Sequence, residues 1–362
     1  MTNHYQAVQW NAHKRTYDLA IAAFIGLFLL SFVVLGRLMF PAPEDISLAV
    51  LLIRGLGVCA VVLLHLILLI GPLSRLSTRF SPVLYNRRHL GVSFFVVAFL
   101  HASIVIGYYG GFGVRNPLIV VLEGSGPGSG PPFEFYGFLA LLIFALMAAT
   151  SHDFWLKNLG PAFWKSMHMG VYVAYALVVA HIVFGAMRSE SNIIPIVLLS
   201  FGVLTLIALH LVVGLREVQR DYRSLAIVIE ESGRDQWVDV CSVDDIAPDR
   251  AKVVQINTHE RIAVFRHQNT ISAITNVCAH QGGPLGEGKI IDGCVTCPWH
   301  GYQYKPECGQ SPPPYTEKIA TYEVRIEGRR VLIDPNPNPP GTHVDPAGFA
   351  PWDNALDAEH HG

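Results

Sequence analysis

Six apolar stretches constrain this chain more than any other feature: 18–39, 46–70, 90–110, 133–150, 168–187 and 193–214. A helix crosses the hydrocarbon core of a bilayer with about 20 apolar residues. Each stretch is read as one such span, the fourth being the shortest. Composition follows the same division. The 362 residues are 51% hydrophobic and 15% charged, against about 25% charged in ordinary soluble proteins. Almost all of the excess lies before residue 217, and residues 217–362 have soluble composition.

The expected fold is therefore multi-domain, a six-helix transmembrane bundle followed by a small all-β domain. The expected boundaries are an N-terminal tail at 1–17, a membrane domain at 18–216, a linker at 217–223, a β domain at 224–335, and a disordered Pro/Gly-rich tail at 336–362. The opening MTNHYQAVQWNAHKRTYD is polar and has no small-residue cleavage site, so it is not read as a secretory signal. A net charge of −2 supplies no basic face for a nucleic-acid partner. The partner of the first two-thirds is membrane lipid.

Loop charge sets the expected orientation, because Lys and Arg accumulate on the cytoplasmic side. Lys14 and Arg15 precede the first span, and Arg75, Arg79, Arg87 and Arg88 follow the second. Lys157 and Lys165 follow the fourth, and Arg216, Arg220 and Arg223 follow the sixth. The alternate loops are poor in positive charge. Both termini and the β domain are thus expected in the cytoplasm, at a bacterial-type inner (plasma) membrane.

Ionisable side chains inside membrane helices are costly and point to function. The third span carries His89 at its cytoplasmic edge and His101 deeper, about 18 Å away at 1.5 Å per residue. The fifth carries His168 and, about 20 Å deeper, His181. Both spans run outward, so the four histidines form an inner layer and an outer layer. One neutral imidazole from each of two facing helices is what a six-coordinate b-type haem requires. The competing reading makes these histidines polar glue between helices. On an ideal helix His89 and His101 sit about 120° apart, and His65, His152 and His210 compete as inner ligands, so one or two haems are expected. Arg54, within the second span, is a candidate partner of a haem propionate, with snorkelling to the headgroups as the alternative.

On RRHLG…LH in the third span and WKSMHMGVY…AH in the fifth, the chain resembles the ferric reductase-like transmembrane domain family over about 46–214. The resemblance implies six helices and b-type haem held by His101, His168 and His181, with His89 as a further candidate. The spacing of twelve in the third span is slightly below the family's two-haem pattern. A flavin domain follows the sixth helix in ferric reductases and NADPH oxidases; none is read here.

The soluble part contains Cys278-x-His280, sixteen residues, then Cys297-x-x-His300. Two thiolates and two imidazoles suit zinc as well as iron. The flanks favour iron: HQGGPLGEG and WHGYQY are glycine-rich loops, and the surrounding segments alternate or are β-branched, as strands do. The stretch resembles a Rieske domain over about 224–335. That resemblance implies a [2Fe-2S] cluster with Cys278 and Cys297 on one iron and His280 and His300 on the other. Quinol-oxidising Rieske proteins carry disulfide cysteines where this chain has Gly283 and Trp299, and a serine where it has Tyr302; Tyr304 is retained. The domain therefore looks like the ferredoxin type, toward the lower end of roughly −150 to +300 mV. Cys241, Cys294 and Cys308 are read as packing residues.

The tail after 335 is too short for the two-histidine, one-carboxylate iron site of a Rieske oxygenase. No catalytic residue is singled out. The expected function is a membrane oxidoreductase passing electrons between a cytoplasmic cluster and b-type haem, for reduction of an acceptor across the membrane. A cytoplasmic NAD(P)H-dependent reductase or ferredoxin is the expected donor; the acceptor could be ferric iron, quinone, oxygen or a periplasmic protein. The alternative is a membrane-anchored ferredoxin serving a cytoplasmic oxygenase, with the haem domain as quinol-linked input.

Overall fold

The computed structural model describes residues 12–39, 46–80, 83, 87–110, 113–123, 132–151, 161–189, 193–231, 237–255, 260–280, 282–298, 301–313 and 315–350. Two compact units share the chain, dividing within the last long helix at residues 211 and 212.

The first unit is helical. It comprises α1 (Ala12–Met39), α2 (Leu48–Leu76), α3 (Arg87–Tyr109), α4 (Pro117–Glu123), α5 (Phe133–Ala149), α6 (Pro161–His168), α7 (Val171–Phe184), α8 (Ala186–Ser189) and the start of α9 (Ile193–Glu231). Five helical stretches are long and apolar enough to cross a membrane, and α5 is a shorter apolar helix of 17 residues. Those stretches overlie the six apolar runs. The fifth run differs in detail: α6 ends at His168, a turn follows at Met169 and Gly170, and α7 begins at Val171.

Packing makes α2 the centre of this unit. Half of its most apolar window is buried, including Leu56, Cys59, Leu63 and Leu64, whereas none of the window of α1 is. α2 lies against α1 and α3, α3 against α5, and α5 against α7. Apolar side chains elsewhere, such as Leu27, Leu38, Phe99 and Phe201, stay exposed, as a surface solvated by lipid permits.

Two expected boundaries are corrected. α9 runs on to Glu231, so the linker expected at 217–223 is helical backbone. The first strand of the β domain begins only at Val238. No proline or glycine interrupts 215–231, so nothing in that stretch obliges a helix to stop at the membrane edge.

Among the described residues the second unit contains eleven short antiparallel strands, β1 (Val238–Ser242), β2 (Ala251–Gln255), β3 (Arg261–His267), β4 (Thr270–Thr275), β5 (Lys289–Ile291), β6 (Cys294–Thr296), β7 (Gln303–Tyr304), β8 (Thr321–Tyr322), β9 (Val324–Glu327), β10 (Arg330–Ile333) and β11 (Ala347–Gly348). They form three sheets, ordered β1-β10-β9, β11-β4-β3-β2 with β8 also on β4, and β5-β6-β7. The β3–β4 pair (Arg261–His267 and Thr270–Thr275) separates two apolar cores. Ile262 and Val264 face one core and Ala263 and Phe265 the other, which is the period of two of a strand buried on both faces. Tight turns set the register. Between β5 (Lys289–Ile291) and β6 (Cys294–Thr296), Asp292 and Gly293 take φ of 52° and 74°, the two positive values of a type I′ hairpin.

Residues 336–350, expected to be disordered, are ordered. β11 (Ala347–Gly348) pairs with β4, and Val344, Gly341 and Asn338 donate backbone N–H groups to Glu307, Ile319 and Thr321. Prolines in this strap remove donors but do not prevent its remaining amides from pairing along an edge. The rest of the expected tail, 351–362, lies outside the described residues.

Candidate redox centres

Two loops in the β unit present the sulfur ligands, and they are built alike. In the first, the Cys278 N–H donates to Gly283 O at 2.9 Å and the Gly282 N–H to Cys278 O at 2.7 Å. In the second, the Cys297 N–H donates to Tyr302 O at 2.8 Å and the Gly301 N–H to Cys297 O at 2.9 Å. The fifth residue of each loop is a glycine in the left-handed region, Gly282 at φ 68° and Gly301 at φ 70°. Side chains rarely adopt that conformation, so the glycines are what allow each chain to fold back over its own cysteine.

Both cysteines are about 1% exposed and neither is in a disulfide. The Tyr304 hydroxyl lies 3.4 Å from Cys278 Sγ and accepts the His280 N–H at 3.3 Å. Burial, then the neighbouring Cys278, pushes the Tyr304 hydroxyl far above its ordinary pKa. With Cys278 bound to iron as a thiolate, which has no proton to give, the hydroxyl would be the donor to the sulfur. Tyr302 lies flat on the His280 ring, with centroids 4.6 Å apart and planes 10° apart. Its hydroxyl donates to Glu317 Oε2, and burial together with that bond keeps it protonated. For Glu317, burial pushes upward but is outweighed by hydrogen bonds from Tyr302 and from backbone N–H groups, leaving it below the usual carboxylate range.

This donor set fits a [2Fe-2S] cluster of Rieske type. Two buried thiols sit at the closed ends of matching loops, with a buried Nδ1 on His280. His300 and Trp299 lie outside the described residues, so the fourth expected ligand has no placement here. Cys241 packs in the core, with its thiol pushed up to about 11 chiefly by burial, and Cys294 and Cys308 are half-buried.

In the helical unit, α3 and α7 bring the His101 and His181 rings together edge to face, with centroids 6.4 Å apart and planes 83° apart. Each ring is tied by Nδ1 to a carbonyl of a neighbouring helix, His101 to Ile53 O at 3.0 Å and His181 to Phe133 O at 2.9 Å. An Nδ1–H that donates leaves Nε2 as the atom with a free lone pair, the arrangement of a metal-ligating histidine. Two such imidazoles, one from each of two helices, are a donor set that would hold b-type haem.

Glycines give these rings room. A Cβ at Gly137 would stand 2.8 Å from His181 Nδ1, and one at Gly57 would stand 3.2 Å from His101 Cε1. Neither glycine was singled out in the sequence. Their signal is faint, a small residue inside an apolar span, which usually means only close helix packing.

The inner histidines are arranged differently. His89 Nδ1 is 2.8 Å from Asp18 Oδ1 on α1. A carboxylate on Nδ1 is also a partner that a ligating histidine uses. His168 stacks on Trp164 at 3.7 Å and donates to Trp164 O, while its buried Nε2 makes no hydrogen bond of normal geometry. Among the described residues nothing joins His168 to His89. His65 is polar glue: Nδ1 bonds Val61 O and Nε2 meets the Tyr175 hydroxyl at 3.0 Å. His210 bonds Leu206 O, and His152 lies outside the described residues. Arg54 follows Ile53 directly, at the level of His101, with its side chain exposed.

Comparison with known proteins divides the chain in the same way. Residues 236–323 match the Rieske [2Fe-2S] domain, and residues 56–179 match the ferric reductase like transmembrane component. The chain is 34% identical over 105 residues to the ferredoxin component of the alkene monooxygenase system of Xanthobacter autotrophicus, covering 29% of this chain and 85% of that one. It is 36% identical over 97 residues to the biphenyl dioxygenase ferredoxin subunit of a Pseudomonas species, covering 26% and 87%. Among solved structures, a chain from the complex of reduced oxygenase and oxidized ferredoxin in carbazole 1,9a-dioxygenase aligns with a TM-score of 0.28 at 23% identity, over 29% of this chain and 99% of that chain. Through its soluble unit the protein belongs to the Rieske [2Fe-2S] family, and it carries a ferric reductase-like transmembrane component in the same chain.

Proposed function

We propose that this protein moves electrons across a membrane, from a donor at the Rieske domain to b-type haem in the helical unit and on to an acceptor at the opposite face. The paired imidazoles of His101 and His181 support the reading, because two such ligands from two helices suit a one-electron haem carrier. Bound to these sites, the [2Fe-2S] cluster and the haem each accept and release single electrons.

The residues then have defined tasks. Cys278, Cys297, His280 and His300 hold the cluster, while Tyr304 and Tyr302 brace its loops. Ile53 O and Phe133 O fix the tautomers of His101 and His181, and His168 and His89 are the candidates for a second, inner haem. Arg54 is the candidate for a propionate at the outer level. Loop charge supports placing the Rieske domain in the cytoplasm of a bacterial-type cell, where an NAD(P)H-dependent reductase or a ferredoxin is the fitting donor.

Kinetics in nanodiscs test the direction. After mixing with a reduced one-electron donor protein, cluster bleaching should precede the rise of the reduced haem band. Haem reduction ahead of the cluster, or none at all, would defeat the outward conduit.

A second reading is favoured by the curated relatives, whose descriptions are ferredoxin components of oxygenase systems. On that reading the Rieske domain hands electrons to a cytoplasmic oxygenase, and the membrane unit feeds it from quinol. Rapid reduction of both centres by a quinol analogue, with no reduction by a soluble donor protein, would select it.

A further inference from the structure

We infer that Glu317, acting through Tyr302, is a positioning residue that holds down the electron affinity of the metal centre at His280. The inference rests on the Rieske reading of the two loops and extends it to residues 315–317, which are not among the proposed ligands.

Three contacts carry it. The Tyr302 ring covers the His280 imidazole at 4.6 Å, nearly parallel, so any displacement of Tyr302 is felt at that ligand. The Tyr302 hydroxyl donates to Glu317 Oε2, which also accepts the Thr316 N–H at 3.0 Å. Tyr315 from the same segment packs on Tyr302 at 4.9 Å. The carboxylate is thus held in place beside the histidine side of the centre, in a partly buried setting. An electron arriving there adds negative charge next to a fixed negative charge, and water screens the repulsion less than it would at an open surface. Tyr304 acts in the opposite sense, since a hydrogen bond donated to sulfur favours the added electron. The two tyrosines therefore oppose each other: Tyr304 raises electron affinity from the cysteine side, and Tyr302 holds an anion that lowers it from the histidine side.

The test is a redox titration of the full-length protein in nanodiscs, followed by the EPR signal of the reduced cluster. Glu317→Gln keeps the shape and removes the charge. It should favour reduction about tenfold, about 59 mV for a one-electron couple. Glu317→Asp keeps a charge and should stay near wild type. Tyr302→Phe keeps the stacked ring but releases the carboxylate, so it too should raise the midpoint, with no further rise when combined with Glu317→Gln. The inference is overturned by an unchanged midpoint in Glu317→Gln, by an equal rise in Glu317→Asp, or by additive shifts in the double variant. If Glu317→Gln loses the cluster, Tyr302→Phe decides alone: a raised midpoint supports the inference and an unchanged one overturns it. A wild-type protein without a Rieske EPR signal would instead refute the cluster assignment itself.

Discussion

His101 on α3 and His181 on α7 meet edge to face with ring centroids 6.4 Å apart, each held by Nδ1 to the carbonyl of a helix that is not its own. Cross-helix bonds are also what polar glue makes, as the His65 contact with Tyr175 shows, so substitution has to separate the two readings. Replacing either residue with alanine removes one of the two imidazoles proposed to hold the haem. His101→Ala and His181→Ala should therefore each lose the outer haem, while the Rieske EPR signal persists. Haem content measured by pyridine haemochrome decides the matter, and full haem content in both variants would sink the assignment.

Gly137→Ala tests the same site without touching a ligand. The added methyl would start 2.8 Å from His181 Nδ1, well inside contact distance, so the ring has to turn or the helices must part. Haem loading should fall and the low-spin spectrum should broaden. Gly57→Ala, where the contact is 3.2 Å, should be milder. Equal effects from the two changes would argue for general helix destabilisation instead.

Cysteine chemistry should follow burial. Cys241 is 2% exposed, and its thiol is pushed up to about 11. At pH 8 the thiolate fraction of such a group is about one in a thousand, against about a quarter for an unperturbed thiol of pKa about 8.5. Iodoacetamide at pH 8 should leave Cys241 unmodified in the folded protein and label it readily in urea. Comparable labelling in both states, read by peptide mass spectrometry, would contradict the buried setting.

What the sequence disclosed and what it hid follow from the range of the interactions. The apolar runs and the C-x-H and C-x-x-H pairs are local, and each element they imply is present where its residues are described. The type I′ turn at Asp292 and Gly293 is equally local. The partners of the ligands are not: Ile53 O, Phe133 O and Glu317 lie 48, 48 and 15 residues from the side chains they bond, and no short pattern announces them. His89 shows the limit in the other direction. Its offset of 120° was readable, but that it points to Asp18, 71 residues away, was not. Pro/Gly composition suggests disorder for residues 336–350, whereas their amides pair with the carbonyls of Glu307, Ile319 and Thr321.

Deleting 336–362 should destabilise the Rieske unit without emptying the membrane sites. The strap supplies backbone hydrogen bonds from Asn338, Gly341 and Val344, and its Thr342 carbonyl accepts from the buried Thr321 hydroxyl. At about 1 kcal/mol for each hydrogen bond, the loss is several kcal/mol, and it bares the β4 edge to other strands. Thermal loss of the Rieske EPR signal should shift to lower temperature while haem absorbance is unaffected. An unchanged cluster-loss temperature would mean that the strap contributes nothing.

Tyr304→Phe should lower the midpoint potential of the cluster. The hydroxyl serves two atoms at once, donating toward Cys278 Sγ at 3.4 Å and accepting the His280 N–H at 3.3 Å. Without the donor, negative charge on the sulfur is less well stabilised and the reduced state loses more than the oxidised one. Without the acceptor, the His280 N–H is left unsatisfied beside a buried ring, costing about 1–3 kcal/mol of local stability. Two readouts separate these effects. The potential reports the lost donation to sulfur, and the temperature at which the cluster is released reports the orphaned amide. A variant with a lower release temperature and an unaltered midpoint would show that Tyr304 braces the loop without tuning the centre.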